Sequence, residues 1–348
     1  MNQINILVTG AGGGGIGEQV IKCLRLSSLN CSIIATDITT VSKGKIDADE
    51  FVVAPLANDI NYINFIINLC EEKKITAIIP GSEIELKIFS KNRLVFTQKK
   101  IELLINSDEI INICLDKNLT SKFLESNGFL SPKSFAISNI KDLDSISIFP
   151  LVLKPSIGGG GSVNTLIVQN EEELYVFGQF LLNQYSEFIA QEYVGDADSE
   201  FTVGVFSLNN FQIVDSIILK RNILSGLGSK IKLLNKSTKS ELGKYLAISS
   251  GISQGEILKN KLISDTCESI AEKLKSVGPL NIQCRLVGDK VYIFEINPRF
   301  SGTSPMRALA GFNELEISIK NNVMKQSNFS RINYKLGHVV RGLNEFFV

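Results

Sequence analysis

Over the first hundred residues, short apolar runs alternate with segments whose apolar positions recur three or four apart. Residues 5–9 (NILVT) are an apolar run ending in glycines, after which Ile16, Val20, Cys23 and Leu24 return at helical spacing. A β-branched run over 32–36 closes at Asp37. Ile60, Ile63, Ile67 and Cys70 mark another helix, followed by an apolar run over 75–79 that Pro80 ends. Ser82 and Glu85 have the spacing of a capping box, so a further helix starts after Gly81. Strands alternating with helices predict a parallel, doubly wound sheet over residues 1–112.

Beyond it, residues 116–127 read as a helix stopped by Gly128. Strands over 150–154 and 163–168, a helix over 171–182 and a strand over 187–192 give a small α+β unit, placed at 113–190. From 191 to 348 the pattern turns antiparallel. SEFTVGVFSL and FQIVDSIIL are alternating strands around a tight turn at Asn209 and Asn210. A helix over 261–277 precedes a last hairpin, and residues 320–348 carry no readable pattern. The fold class is thus α/β followed by α+β, in three units.

A length of 348 residues agrees with two or three domains rather than one core. Thirty-six basic residues balance 36 acidic ones, which argues against a partner held by a basic face, such as nucleic acid. No run approaches a membrane span, and the first residues lack the basic and apolar segments of a secretion signal. The six cysteines are scattered, and His338 is the lone histidine, so a Cys/His zinc site is not expected. A cytoplasmic enzyme with reduced thiols is the expectation, with small-molecule substrates, no nucleic-acid or membrane partner, and a homodimer left open.

Glycine changes this picture. Six of 27 lie between Gly10 and Gly17, and Gly158, Gly159, Gly160 and Gly161 form a run. Gly10-x-Gly12-x-x-Gly15 follows a strand and opens a helix, with Asp37 further on, which matches a dinucleotide fingerprint. A tight βα turn that only packs strand on helix is the alternative. The second run follows Lys154 at the end of a strand. It is not a P-loop but a glycine hairpin whose bare N–H groups, with that lysine, can meet phosphate oxygens. A surface turn is its plain reading.

The most informative stretch is NIQCRLVGDKVYIFEINPR, residues 281–299. With a three-residue turn at Gly288, Asp289 and Lys290, Gln283 falls opposite Glu295. One face then holds Ile282, Cys284, Leu286, Tyr292, Phe294 and Ile296, while the other gathers Asn281, Gln283, Arg285, Glu295 and Asn297. A two-residue turn would put Glu295 on the core face. Oxygen donors clustered beside an arginine suit a hard cation such as Mg²⁺.

Lys117, Lys154 with its glycine loop, QEYV at 191–194, Glu200, Lys220 with Arg221, then Gln283, Glu295, Asn297 and Arg299 occur in an order that resembles the ATP-grasp superfamily. The likeness is to the ATP-binding unit of carbamoyl-phosphate synthase large subunits and to single-unit carboxylate–amine ligases. It covers essentially the whole chain, with residues 1–112 as a Rossmann-like pre-ATP-grasp domain, 113–190 as a lid subdomain and 191–348 as the antiparallel subdomain.

The resemblance implies ATP and Mg²⁺ or Mn²⁺ as cofactors. It implies Lys117 and Lys154 on the phosphates and Gly158 to Gly161 as a lid. Gln191, Glu192, Tyr193 and Val194 would lie along adenine, with Glu200 on the ribose and Arg221 nearby. Gln283, Glu295 and Asn297 would hold the metal, and Arg299 would stabilise the phosphoryl group. The first glycine loop would line the acceptor side instead of binding NAD. Arg285 is the candidate for gripping a substrate oxyanion, because guanidinium suits bidentate contacts. Glu83, past the strand that Pro80 closes, is a candidate amine contact or a plain helix-start acid.

Overall fold

The early apolar runs become an all-parallel sheet. The computed structural model describes residues 3–158, 163–225, 228–251, 254–342 and 344–346. In it β1 (Ile4–Val8), β2 (Cys31–Asp37), β3 (Glu50–Val53), β4 (Ala77–Ile79) and β5 (Glu102–Leu103) lie in the order β3-β2-β1-β4-β5, every pair parallel. Ile6 and Val8 pack on one side with Val20, Ile21 and Leu24 of the helix Ile16–Arg25. Leu7 packs on the other with Tyr62, Ile66 and Phe89. Burial of both faces is why Ile6, Leu7 and Val8 of β1 follow one another without a polar residue. Glycine is required at position 17, since a Cβ there would collide with the Gly10 carbonyl oxygen.

Ser82 caps the helix Glu83–Lys91 by accepting from the Glu85 N–H. The Glu85 carboxylate accepts from the Ser82 and Tyr62 hydroxyls, both at 2.8 Å, and so ties this helix to the helix Tyr62–Glu72.

β6 (Ser134–Ile137), β7 (Leu151–Pro155), β8 (Leu166–Val168) and β9 (Phe188–Glu192) form an antiparallel sheet in the order β6-β9-β7-β8, backed by the helix Glu171–Leu182. β10 (Glu200–Ser207) and β11 (Ile213–Arg221) follow, then the ribbon β12 (Ser229–Leu234) and β13 (Tyr245–Ser249). β14 (Gly255–Leu258), β15 (Gly278–Val287), β16 (Lys290–Asn297) and β17 (Gly337–Val339) complete a sheet ordered β16-β15-β10-β11-β14-β17. The β10–β11 connection is longer than a two-residue turn. Leu208 donates its N–H to Gln212, and the left-handed residue is Phe211 at φ +68°, not either asparagine.

Ile110, Cys114 and Leu124, from the helices Asp108–Leu115 and Lys117–Ser126, enter the core beneath the third sheet. The apolar side of residues 113–127 therefore packs with the third unit, while the Lys117 N–H and the Asn118 amide bond Ser156 and Glu187 of the second, where the sequence reading put the whole segment. One apolar cluster runs from Ile6 and Val20 to Phe206, Ile217 and Phe312, joining the first sheet to the third. All six cysteines are free thiols. No helix among the described residues is long and apolar enough to cross a membrane.

Candidate functional site

The second and third sheets face each other across a cavity, with Lys154 and Gln191 on one wall and Glu200, Gln283 and Glu295 on the other. The floor is the β15–β16 hairpin, and its register is a correction to the sequence reading. Val287 pairs with Lys290, so the turn has two residues, with Gly288 at φ +61°. Continued without interruption, that register would turn Glu295 into the core. A β-bulge at Phe294 intervenes: Cys284 pairs with Ile293, yet Gln283 pairs with Glu295. Val291 and Ile293 consequently fill the core where Tyr292 and Phe294 were expected, and Phe294 lines the cavity.

Across the floor the strands set three rows. Glu200 stands by Arg285 and Tyr292, Thr202 by Gln283 and Glu295, and Gly204 by Asn281 and Asn297. In the second row, burial pushes the Glu295 carboxyl up. Lys154, Lys117, the Asn297 amide and Arg299 together outweigh this and hold it below the ordinary carboxylate value. Asn297 donates its amide N–H to Glu295 Oε1 at 2.9 Å, which leaves the carbonyl oxygen of that amide for another partner. Gln283 Oε1 accepts from Arg221 at 3.0 Å. Among the described residues no group of three or more His, Cys, Asp or Glu forms a metal cluster, so a cation here would rest on one carboxylate and amide oxygens.

Lys154, at the end of β7, is 6% exposed and donates to Gln191 Oε1 at 2.8 Å and to the Phe294 carbonyl at 3.3 Å. Burial lowers its pKa to about 8; Glu295 and Glu200 pull it up, while Lys117 pushes it further down. Lys117 begins the helix Lys117–Ser126 and lines the same cavity. Its side chain has no hydrogen-bond partner among the described residues. Gly158 has φ +79° and open space around it; Gly159, Gly160 and Gly161 lie outside the described residues.

The first row overturns the expectation for Arg285. It is 6% exposed, and all five of its N–H groups meet protein oxygens. Nε and Nη2 bond Glu200 Oε2, Nη1 bonds the Val194 and Gly195 carbonyls, and Nη2 also bonds the Ala247 carbonyl. Its guanidinium lies 4.3 Å over the Tyr193 ring. No donor remains to grip a substrate, so Arg285 positions Glu200. Arg221 bonds Glu200 Oε1, Gln283 and the Ser250 carbonyl. Glu192 pairs with Lys239, and the Tyr193 hydroxyl accepts the Ala247 N–H at 2.8 Å. The Val194 N–H has no protein acceptor among the described residues.

Arg299 donates to Glu83 Oε1 at 2.9 Å and to the Phe300 carbonyl, which ties the end of the hairpin to the N-terminal domain. At the first glycine loop, the Gly14 N–H donates to Glu18 Oε2 at 2.6 Å. The helix start where a pyrophosphate would sit thus already holds a carboxylate. His338 is exposed on the edge strand β17. Sequence reasoning missed a buried ion pair, Arg307 with Glu314 at 2.9 Å, lying over Gly204.

Two family models match the chain: "PylC-like, N-terminal domain" over residues 6–104, and "ATP-grasp in the biosynthetic pathway with Ter operon" over 246–344. These matches support an ATP-grasp superfamily member. The chain is 24% identical over 324 residues to the carbamoyl phosphate synthase large chain of Thermoplasma volcanium, covering 88% of itself and 29% of that protein. It therefore spans less than a third of that relative's length. Its fold matches a biotin carboxylase–β,γ-ATP complex from Campylobacter jejuni with TM-score 0.69 at 16% identity, covering 95% of this chain and 73% of the other. It also matches an N5-carboxyaminoimidazole synthetase from Staphylococcus aureus complexed with ADP, with TM-score 0.66 at 16% identity over 95% and 80% of the two chains.

Proposed function

We propose that the cavity between the second and third sheets takes Mg²⁺-ATP and that the protein is an ATP-dependent carboxylate–amine ligase. One observation carries the reading: two lysines, one of them buried, share a cavity with an ionised Glu295 flanked by amide oxygens. Lysines beside a carboxylate and hard oxygen donors are the parts that polyphosphate and its cation need.

In this reading Val194 N–H and the backbone of Gln191, Glu192 and Tyr193 lie along adenine, and Glu200, fixed by Arg285 and Arg221, meets the ribose. Lys154 and Lys117 bind phosphate oxygens, with the loop of Gly158 to Gly161 closing over them. Glu295 and the Gln283 and Asn297 oxygens would hold Mg²⁺ or Mn²⁺, a hard cation that takes such few protein oxygens together with substrate oxygens. When bound, the cation neutralises charge on the transferring phosphoryl group. Arg299, two residues past Asn297 at the same open end of the hairpin, would do the same.

A substrate carboxylate oxygen attacks the γ-phosphorus and the bond to the β–γ bridging oxygen breaks, releasing ADP and leaving an acylphosphate. An amine nitrogen then attacks the acyl carbon, phosphate leaves, and the nitrogen loses a proton to give the amide. Phosphoryl transfer asks for positioning and charge neutralisation, not a protein nucleophile. A second reading has bicarbonate as the carboxylate. Gln283 favours it, since the carbamoyl-phosphate synthase units that the sequence resembles carry an amide there. The test is ADP release from Mg²⁺-ATP against a matrix of carboxylates, bicarbonate included, and amines. The ligase reading expects release that needs one carboxylate and rises with one amine; bicarbonate alone sufficing selects the second reading.

A further inference from the structure

The ion pair of Arg307 and Glu314 is 0% and 1% exposed, as deep as any apolar side chain in the protein. A buried pair of this kind seldom gains stability over well-packed apolar residues of the same volume. The chain nonetheless makes room for it. Gly204 sits in the middle of β10, where glycine weakens a strand, and a Cβ there would collide with Glu314 Oε1 and Arg307 Nη1. The pair also reaches the floor of the site. Arg307 Nη2 donates to Asn281 Oδ1 at 2.5 Å and to Thr202 Oγ1 at 3.3 Å, and Thr202 Oγ1 donates to the same Asn281 oxygen at 2.7 Å. Asn281 stands directly across from Asn297, whose amide donates to Glu295. Glu314 itself is held by Arg307 and the Ser304 hydroxyl.

We propose that Arg307 and Glu314 are positioning residues for the cation site: by fixing the Asn281 amide they hold the third row, and through it the orientation of Asn297 toward Glu295 and the metal. The inference rests on the Mg²⁺-ATP reading. It gives the charges a purpose other than stability, since an aliphatic pair would fill the same space without pinning Asn281. A misaligned Asn297 loosens the metal while leaving Lys117, Lys154 and the adenine contacts in place.

The test is Mn²⁺ binding to the full chain in the presence of the analogue AMP-PNP, followed by Mn²⁺ paramagnetic resonance, with melting temperature measured alongside. Wild type that binds no Mn²⁺ with AMP-PNP overturns the underlying reading before any variant is compared. Given wild-type binding, the double variant Arg307→Met with Glu314→Leu is expected to melt at or above the wild-type temperature. Its Mn²⁺ affinity should fall about tenfold or more, as outer partners of metal ligands typically do, while AMP-PNP alone binds as before. Native melting with native Mn²⁺ affinity overturns the proposal. If the double variant fails to fold, Thr202→Val decides, because it removes one donor to Asn281 and one acceptor from Arg307 while keeping the Arg307–Glu314 contact itself. It should weaken Mn²⁺ several-fold, and unchanged Mn²⁺ affinity in that variant overturns the proposal equally.

Discussion

Replacing Lys154 by Met separates what this residue does for the fold from what it does for the ligand. The folded-state pKa of about 8 lies below the ordinary 10.5, because burial disfavours the ammonium. A depressed lysine stabilises the fold fully only above the unfolded value, and that stability is lost as pH falls through about 8. At pH 7 the protonated side chain therefore opposes folding by about 3 kcal/mol. Met removes that penalty and keeps the stem, but loses the bonds to Gln191 and Phe294, at about 1 kcal/mol each. The variant should lie within about 1–2 kcal/mol of wild type at pH 7. Between about pH 7 and 9 wild type should gain about 1.3 kcal/mol on it, as its buried lysine gives up the proton. Denaturant unfolding at three pH values measures this, and calorimetric titration with Mg²⁺-ATP should show binding weakened about tenfold or more, since a charge-assisted phosphate contact is gone. A variant destabilised by more than about 4 kcal/mol at pH 7 with no pH-dependent difference would refute the reasoning, as would unchanged ATP affinity.

Glu295→Gln should abolish ADP release with a melting temperature close to wild type, whereas Asn297→Asp, which keeps an oxygen donor, should recover part of its activity in Mn²⁺. An unfolded Glu295→Gln would make that carboxylate structural. Arg285→Met should cost about 3 kcal/mol in denaturant unfolding, because Glu200 Oε2 loses its buried partner, with Arg221 left on Oε1 alone, and the Val194 and Gly195 carbonyls lose their donor; a stable variant lacking turnover would return Arg285 to the substrate. Mg²⁺-ATP should raise the melting temperature while NAD and NADP leave it unchanged, since Glu18 already fills the first glycine loop. A shift with NAD alone would contradict that.

The parallel sheet was legible because β1, β2 and β4 are buried on both faces and read as apolar runs. β3 and β5 were not: β5 has two residues, and β3 is partly exposed along its length. The facing of Gln283 and Glu295 was legible for an incomplete reason. Requiring Glu295 off the core face gave the correct pair, but the chain meets that requirement with a bulge at Phe294, and a bulge leaves no mark in a period-two pattern. Arg285 was misread because its partner, Glu200, lies 85 residues away and only strand pairing brings them together. The pair of Arg307 and Glu314 escaped notice for a related reason. Its meaning depends on Gly204 and Asn281, which no local spacing connects to it.

The central claim is that a carboxylate oxygen takes the γ-phosphoryl group in this cavity. Its most direct measurement is oxygen transfer: Mg²⁺-ATP is incubated with the amine and with the activating carboxylate labelled in both oxygens with ¹⁸O, and the released phosphate is weighed by mass spectrometry. Passage through an acylphosphate predicts one ¹⁸O atom in each phosphate formed, and none when Glu295→Gln replaces the wild type. Phosphate that carries no label while ADP accumulates would contradict the account, because the phosphoryl group would then have gone to water or another acceptor.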